Sequence, residues 1–172
     1  KQLTPKDIPD SLLAHFTRYQ ETNRVMRLVN GKLKVKEDHF IDAWDESRLI
    51  EVAEELRACT TKGGIVVGAF QTENCVGFTA IEPEIFGSRS QYQELTMCHI
   101  TRELRGKGCG KQLFQKTVEL AQAQNIEKLY VSTHPAVETQ AFYQAMGCVL
   151  AEEINKEILA REPLDIQLEF HL

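Results

Sequence analysis

Arg105-Gly106-Lys107-Gly108-Cys109-Gly110, with Lys111 behind it, is the stretch whose reading decides the fold. Three glycines at alternate positions divide two different patterns. Before them, Leu95-Thr96-Met97-Cys98-His99-Ile100 predicts a strand; after them, Leu113, Phe114, Thr117, Val118 and Ala121 recur at helical spacing. A strand, a glycine-rich turn and a helix N-terminus together make a place for an anion. The first-turn N–H groups lack helical partners, and the helix dipole favours negative charge there. Glycine admits positive φ and, having no Cβ, lets a bulky anion come close. The turn therefore reads as a phosphate cradle.

The chain on either side places this turn in an α/β framework. Lys128–Ser132 predicts a second strand after the helix, so the unit should be parallel and right-handed. Pro135 suits the first position of a short helix that runs to Met146 and stops at Gly147. Cys148-Val149-Leu150 opens another strand, and Ile166, Leu168 and Phe170 alternate in the last. Upstream, Ile65–Phe70 and Cys75–Ile81 are joined by four polar residues and should pair antiparallel, with Pro83–Ser90 as a loop. Before them, Asp45 can cap a helix that buries Leu49, Val52, Ala53 and Leu56, and Gly63-Gly64 ends it. Phe40, Ile41 and Trp44 form an apolar cluster ahead of that cap. Asn30-Gly31 between Arg24–Leu28 and the alternating Leu33 and Val35 predicts a hairpin. A helix from Asp10 or Ser11, with Leu12, Leu13, Phe16 and Tyr19 on one face, is expected at the start. We expect one domain over residues 1–172, of which 1–43 form the N-terminal helix and hairpin.

Composition narrows the function. A hydrophobic content of 42% with 26% charged residues is that of a globular chain able to build a core. A net charge of −5 argues against nucleic acid as the main partner. No run of 18 apolar residues exists and no charged-then-apolar segment opens the chain, so neither a membrane partner nor a leader is expected. The five cysteines are odd in number, without a Cys-x-x-Cys pair, which points to a reducing, cytoplasmic setting. No His, Cys, Asp or Glu set has metal-ligand spacing, so no metal is expected.

Three nucleotide motifs compete for the glycine turn. A dinucleotide fingerprint needs G-x-G-x-x-G and an acidic residue ending the next strand; neither is present. A P-loop closes on Gly-Lys-Ser/Thr, and Gln112 follows Lys111 here. Arg-x-x-Gly-x-Gly opening a helix remains, and residues 105–110 match it. That motif resembles the acetyl-coenzyme A pyrophosphate loop of the GNAT acetyltransferase superfamily. Ala141-Phe142-Tyr143-Gln144-Ala145-Met146-Gly147-Cys148 is similar to the family's C-terminal signature, an aromatic pair followed by a glycine. The likeness covers about Trp44 to Leu172.

The resemblance implies a mixed, mostly antiparallel central sheet flanked by helices, in which a parallel strand pair splays to bind coenzyme A. It implies that backbone groups of His99, Ile100 and Thr101 meet pantetheine. It also implies that Arg105, Gly106, Lys107, Gly108, Cys109, Gly110 and Lys111 hold the pyrophosphate, with acetyl-CoA as donor substrate and no metal. Tyr143 matches the tyrosine that protonates the coenzyme A thiolate; its bland alternative is a core aromatic beside Phe142. Glu94, eleven residues before Arg105, matches a glutamate base; its alternative is a solvated strand end. His99 and His134 are further base candidates or structural histidines. At the position of the family's pantetheine-binding asparagine stands Ala136, so that contact is either lost or supplied by Ser132, Thr139 or a backbone group. Cys109 in the loop could react when coenzyme A is absent, or is a plain turn residue.

The expected activity is direct acetyl transfer from acetyl-CoA to a primary amine, small-molecule or peptide, in a ternary complex. Pro83–Ser90 and the N-terminal helices are expected to shape the acceptor pocket, where Glu82, Glu84 and Glu94 either attract a cation or are plain surface charges. The alternatives are a non-catalytic acyl-CoA sensor on the same fold and a module that joins partners through strand edges. The sequence leaves the oligomeric state open, homodimerisation through a C-terminal strand included.

Overall fold

The computed structural model describes Lys1–Leu172. Asn30 and Gly31 both take positive φ, the turn that matches strand twist. They join β1 (Tyr19–Val29) to β2 (Lys32–Ala43) in a long hairpin that forms its own two-stranded sheet. Phe40 and Ile41 belong to β2 rather than to a separate cluster. The helix expected from Asp10 is only a 3-10 turn, Asp10–Leu13. Long-range bonds hold the following backbone extended: Thr17 N–H donates to Thr101 Oγ1 (3.0 Å), and Trp44 N–H to the Arg18 carbonyl (3.0 Å). Leu13 and Phe16 are still buried, while Tyr19 opens β1.

Asp45 caps α1 (Glu46–Thr61) through a 2.8 Å bond from Arg48 N–H. Val52, Ala53, Leu56 and Cys59 pack from α1 against one face of the main sheet. That sheet contains β3 (Ile65–Gln71), β4 (Asn74–Phe86), β5 (Tyr92–Ile100), β6 (Lys128–Thr133), β7 (Val149–Leu150) and β8 (Ile166–His171). Their spatial order is β3-β4-β5-β6-β8-β7. All neighbours are antiparallel except β5 and β6. β4 runs four residues past Glu82 and consumes half of the expected Pro83–Ser90 loop. The ladder is irregular between Ile81 and Ile85, so Pro83 costs no regular hydrogen bond.

The opposite face is covered by α2 (Cys109–Ala123) and α3 (Val137–Met146). Leu113, Phe114 and Ala121 of α2 and Tyr143 of α3 enter a core shared with Leu95, Leu129 and Leu168. Helix α3 starts two residues after Pro135, because the Pro135 carbonyl is engaged by Met26 N–H (2.8 Å). Gly147 ends it in the left-handed region, as its glycine predicts. A short α4 (Lys156–Arg161), capped by Asn155, lies between β7 and β8 and has no counterpart in the sequence expectations. No helix is long and apolar enough to cross a membrane.

Pairing between β5 and β6 covers only Tyr92–Glu94 against Lys128–Tyr130. Beyond Glu94 the two strands part. A polar network braces the joined end: Lys128 Nζ donates to Glu169 (2.9 Å), and Tyr92 O–H donates to the same fully buried carboxylate. Tyr130 meets both Tyr92 and Phe86 edge-on beside it. The hairpin spans the parted ends, held to β5 by Arg105 Nη1 donating to the Tyr19 carbonyl (2.8 Å) and to the end of β6 by a Val25–Ala136 bridge.

Candidate active site

Six consecutive backbone N–H groups, Gly106 to Lys111, donate to nothing in the chain. Gly106 and Gly108 have φ of 71° and 83°, and a Cβ built on either would meet no atom within 4 Å. The amides therefore face open space at the N-terminus of α2, where no acidic side chain occupies the first turn. Lys107 and Lys111 add positive charge. A phosphate-bearing ligand fits such a cradle. The Arg105 side chain points elsewhere, with Nε donating to the Ile100 carbonyl (3.1 Å).

The turn leads directly into the gap between β5 and β6. Thr101 N–H donates to the Val76 carbonyl (2.9 Å), so antiparallel alternation turns His99 and Met97 toward β4. The N–H groups of Cys98 and Ile100 then face the unpaired edge. A bulge at Thr96, between the Ala80–Met97 and Ile81–Leu95 pairs, sets this phase. Thr101 itself is fully engaged, its carbonyl accepting from Leu104 N–H (3.0 Å).

Tyr143 points from α3 to Cys98 at this edge, among the rings of Phe114 and Phe142. Burial, then the neighbouring Cys98, holds its phenol well above the usual tyrosine range. Burial pushes the Cys98 thiol up to about 12. Both groups therefore keep their protons at neutral pH.

The other face of β5 looks toward the hairpin. His99 packs against Trp44 (4.9 Å between centroids) and Phe78 (5.4 Å), and burial pushes it down to about 3. His134 Nδ1 accepts from Ala136 N–H (3.2 Å), which puts the proton of the neutral ring on Nε2, 3.1 Å from Asp42 Oδ2. Glu94 is clamped by Arg161, whose Nη2 lies 2.7 Å from both carboxylate oxygens. Asp165, on the loop before β8, accepts from Ser132 Oγ at 3.4 Å. Burial, reinforced by Glu162, pushes its carboxyl up to about 6.

The structure thus brings the residue 106–111 amides, Ile100 and Tyr143 to the parted side of β5. Glu94 sits at the joined end of the β5–β6 pair in an ion pair, and His99 lies on the other face of β5. Sequence reasoning missed the Cys98 N–H, Asp165 and the Asp42–His134 pair. Only the first had a local signal, its place two residues before Ile100 in an alternating strand.

Residues 33–148 match the family described as the acetyltransferase (GNAT) family. No curated protein matches the sequence. Among solved structures, a Bacillus anthracis str. Ames protein assigned as a streptothricin acetyltransferase, in complex with acetyl coenzyme A, superposes with a TM-score of 0.72 at 16% identity. That match covers 100% of this chain and 96% of the other. Nourseothricin acetyltransferase gives 0.65 at 13% identity, covering 98% and 94%. IAA acetyltransferase from Bacillus cereus ATCC 14579 gives 0.57 at 19%, covering 100% and 97%. At these identities the likeness shows the fold, which is the mixed sheet with the parted β5–β6 pair.

Proposed function

The chain belongs to the acetyltransferase (GNAT) family, and from that premise we propose that it moves an acetyl group from acetyl-CoA to a primary amine within a ternary complex. The observation that carries the reading is the run of six unpartnered N–H groups opening onto the unpaired edge of β5. When bound, acetyl-CoA supplies an acetyl group already activated as a thioester.

The residues divide the remaining work. The amides of Gly106–Lys111 hold the pyrophosphate, and Arg105 fixes the loop by tying β1 to β5. The open edge at Cys98 and Ile100 takes the pantetheine, which narrows the expected His99–Thr101 contact to Ile100 and adds Cys98. Cys98 N–H is our choice for the donor to the thioester carbonyl, because Tyr143 fixes the level of the reacting sulfur beside Cys98. Tyr143 holds its proton and can give it to that sulfur as it leaves.

The amine must lose a proton to become a nucleophile. Glu94 is the acceptor expected from the sequence, but both of its carboxylate oxygens are engaged by Arg161 Nη2. Asp165 has no cationic partner at its carboxylate, and its raised pKa suits a base near neutrality. We assign the proton to Asp165, with Glu94 positioning α4 through Arg161.

The test is coenzyme A itself. At about 100 times its Kd it should stabilise the fold and raise Tm by several degrees, and a panel of amines with acetyl-CoA should release free thiol. A protein whose Tm is unmoved by coenzyme A is not this enzyme. A protein that binds coenzyme A and acetylates nothing is a sensor on the same fold.

A further inference from the structure

One charged side chain on the hairpin side of β5 is buried without a counter-ion. Arg18 is 9% exposed, and its Nε and Nη1 have no hydrogen-bond partner. No ion pair in the protein includes it. Its guanidinium lies over the Trp44 ring (5.7 Å), and Trp44 packs on His99, the neighbour of Cys98. The nearest carboxylate, Asp42, is committed to His134. Arg105, the other nearby guanidinium, is spent on two carbonyls.

No donor of this guanidinium is hydrogen-bonded, Nη2 included, so its Nη2 edge is free to pair with Nε or Nη1, and such a buried charge is costly unless an anion completes it. Its planar fork matches a carboxylate, which it can bind with two parallel bonds. The location is also specific. Arg18 lies on the Trp44 and His99 side of β5, across the strand from Tyr143 and the edge assigned to the donor. An anion there would be part of the acceptor.

We infer that Arg18 anchors a carboxylate on the acceptor, so that the acetylated amine belongs to a small amino acid-like molecule carrying both groups. This rests on the acetyltransferase reading above and gives it a substrate class. Asp42, close enough to act on Arg18, and Asp165, close enough to feel Asp42, supply negative charge for the ammonium end. The acceptor is then recognised as a zwitterion, its carboxylate on Arg18 and its amine turned toward Cys98. Polyamines and aminoglycosides, which have no carboxylate, would leave Arg18 unpaired and bind poorly.

The test uses the whole protein saturated with coenzyme A. Probes are N-acetyl derivatives of glycine, β-alanine, phenylalanine, lysine and glutamate, each paired with its carboxamide. At least one acid should raise Tm further while its amide does not, and Arg18→Met should abolish that difference but keep the coenzyme A shift. In turnover, the matching free amino acid should exceed its amide by about tenfold or more in kcat/KM, carried mainly by KM. Arg18→Lys keeps the charge but not the fork, so it should retain part of the preference; it also serves if Arg18→Met does not fold. Acids and amides acting alike, or an acid preference that survives Arg18→Met, would overturn the inference. A wild-type Tm unmoved by coenzyme A would instead overturn the donor reading. If Arg18→Met weakens coenzyme A as well, Arg18 belongs to the donor site and the inference fails.

Discussion

The two ends of the β5–β6 pair are built on opposite plans. At the joined end, Tyr92–Glu94 and Lys128–Tyr130 close a parallel ladder, and every buried polar group is matched. Glu169 there accepts from Lys128, Tyr92, the Glu152 N–H and His171. At the parted end, amides of β5, the α2 N-terminus and Arg18 all lack partners. Satisfied groups hold a fold, and unsatisfied ones wait for a ligand. The same two strands therefore separate stability from function along a few residues.

The largest effect expected from breaking this division is at Glu169. Burial works to raise its pKa, but the bonds from Lys128, Tyr92, Glu152 N–H and His171 prevail and hold the carboxyl at about 2. Glu169→Gln leaves the buried Lys128 with only the exposed Glu152 carboxylate as partner and should lower Tm by about 10 °C. A folded-state pKa below the ordinary 4.5 means that the carboxylate's contribution is present above that value and fades as pH falls toward 2. The gap in Tm between wild type and variant should thus narrow below pH 4.5. Turnover per folded molecule should be nearly unchanged. A variant as stable as wild type would show that the joined end is not the brace.

Tyr143→Phe probes the parted end, and should have the reverse profile. Its ring remains among Phe114 and Phe142, so Tm should hold within about 2 °C. Loss of the acidic proton should reduce kcat by about a thousandfold with coenzyme A affinity retained. If kcat survives, Tyr143 is only a packing residue and the leaving sulfur takes its proton from elsewhere.

The contrast also explains what could be read from the sequence. The donor half is local. Strand, glycine turn and helix follow each other within Leu95–Ala121, and helical spacing, turn chemistry and the missing first-turn acceptors all act over a few residues. The Asn30-Gly31 hairpin and the Gly147 stop were legible for the same reason. The acceptor half is assembled from afar. His134 meets Asp42 across 92 residues, and Glu94 meets Arg161 across 67. Nothing in the segment Phe16-Thr17-Arg18-Tyr19 distinguishes an extended crossing from a helix until Thr101 and Trp44 bond to it. Helical periodicity in Leu12, Leu13 and Phe16 was real burial produced by a different backbone.

Asp165→Asn should slow the reaction less than Tyr143→Phe and have the clearest signature. The carboxyl has an ordinary value of 3.8 and is pushed up to about 6, so the folded state binds the proton more tightly than the unfolded chain. Its favourable contribution is therefore full below 3.8 and is lost as pH rises through 6. Asparagine imitates the protonated form at every pH. The variant should match wild type in Tm near pH 4, gain on it through pH 6, and stay more stable at pH 8. Activity should move the other way. Wild-type kcat/KM should climb through an apparent pKa near 6, and the variant should lose that limb with about a hundredfold drop above it. A residue that only supports the loop would lose both stability and rate together. Higher stability with lower activity at pH 8 would mark Asp165 as a charge held at the parted end for the reaction.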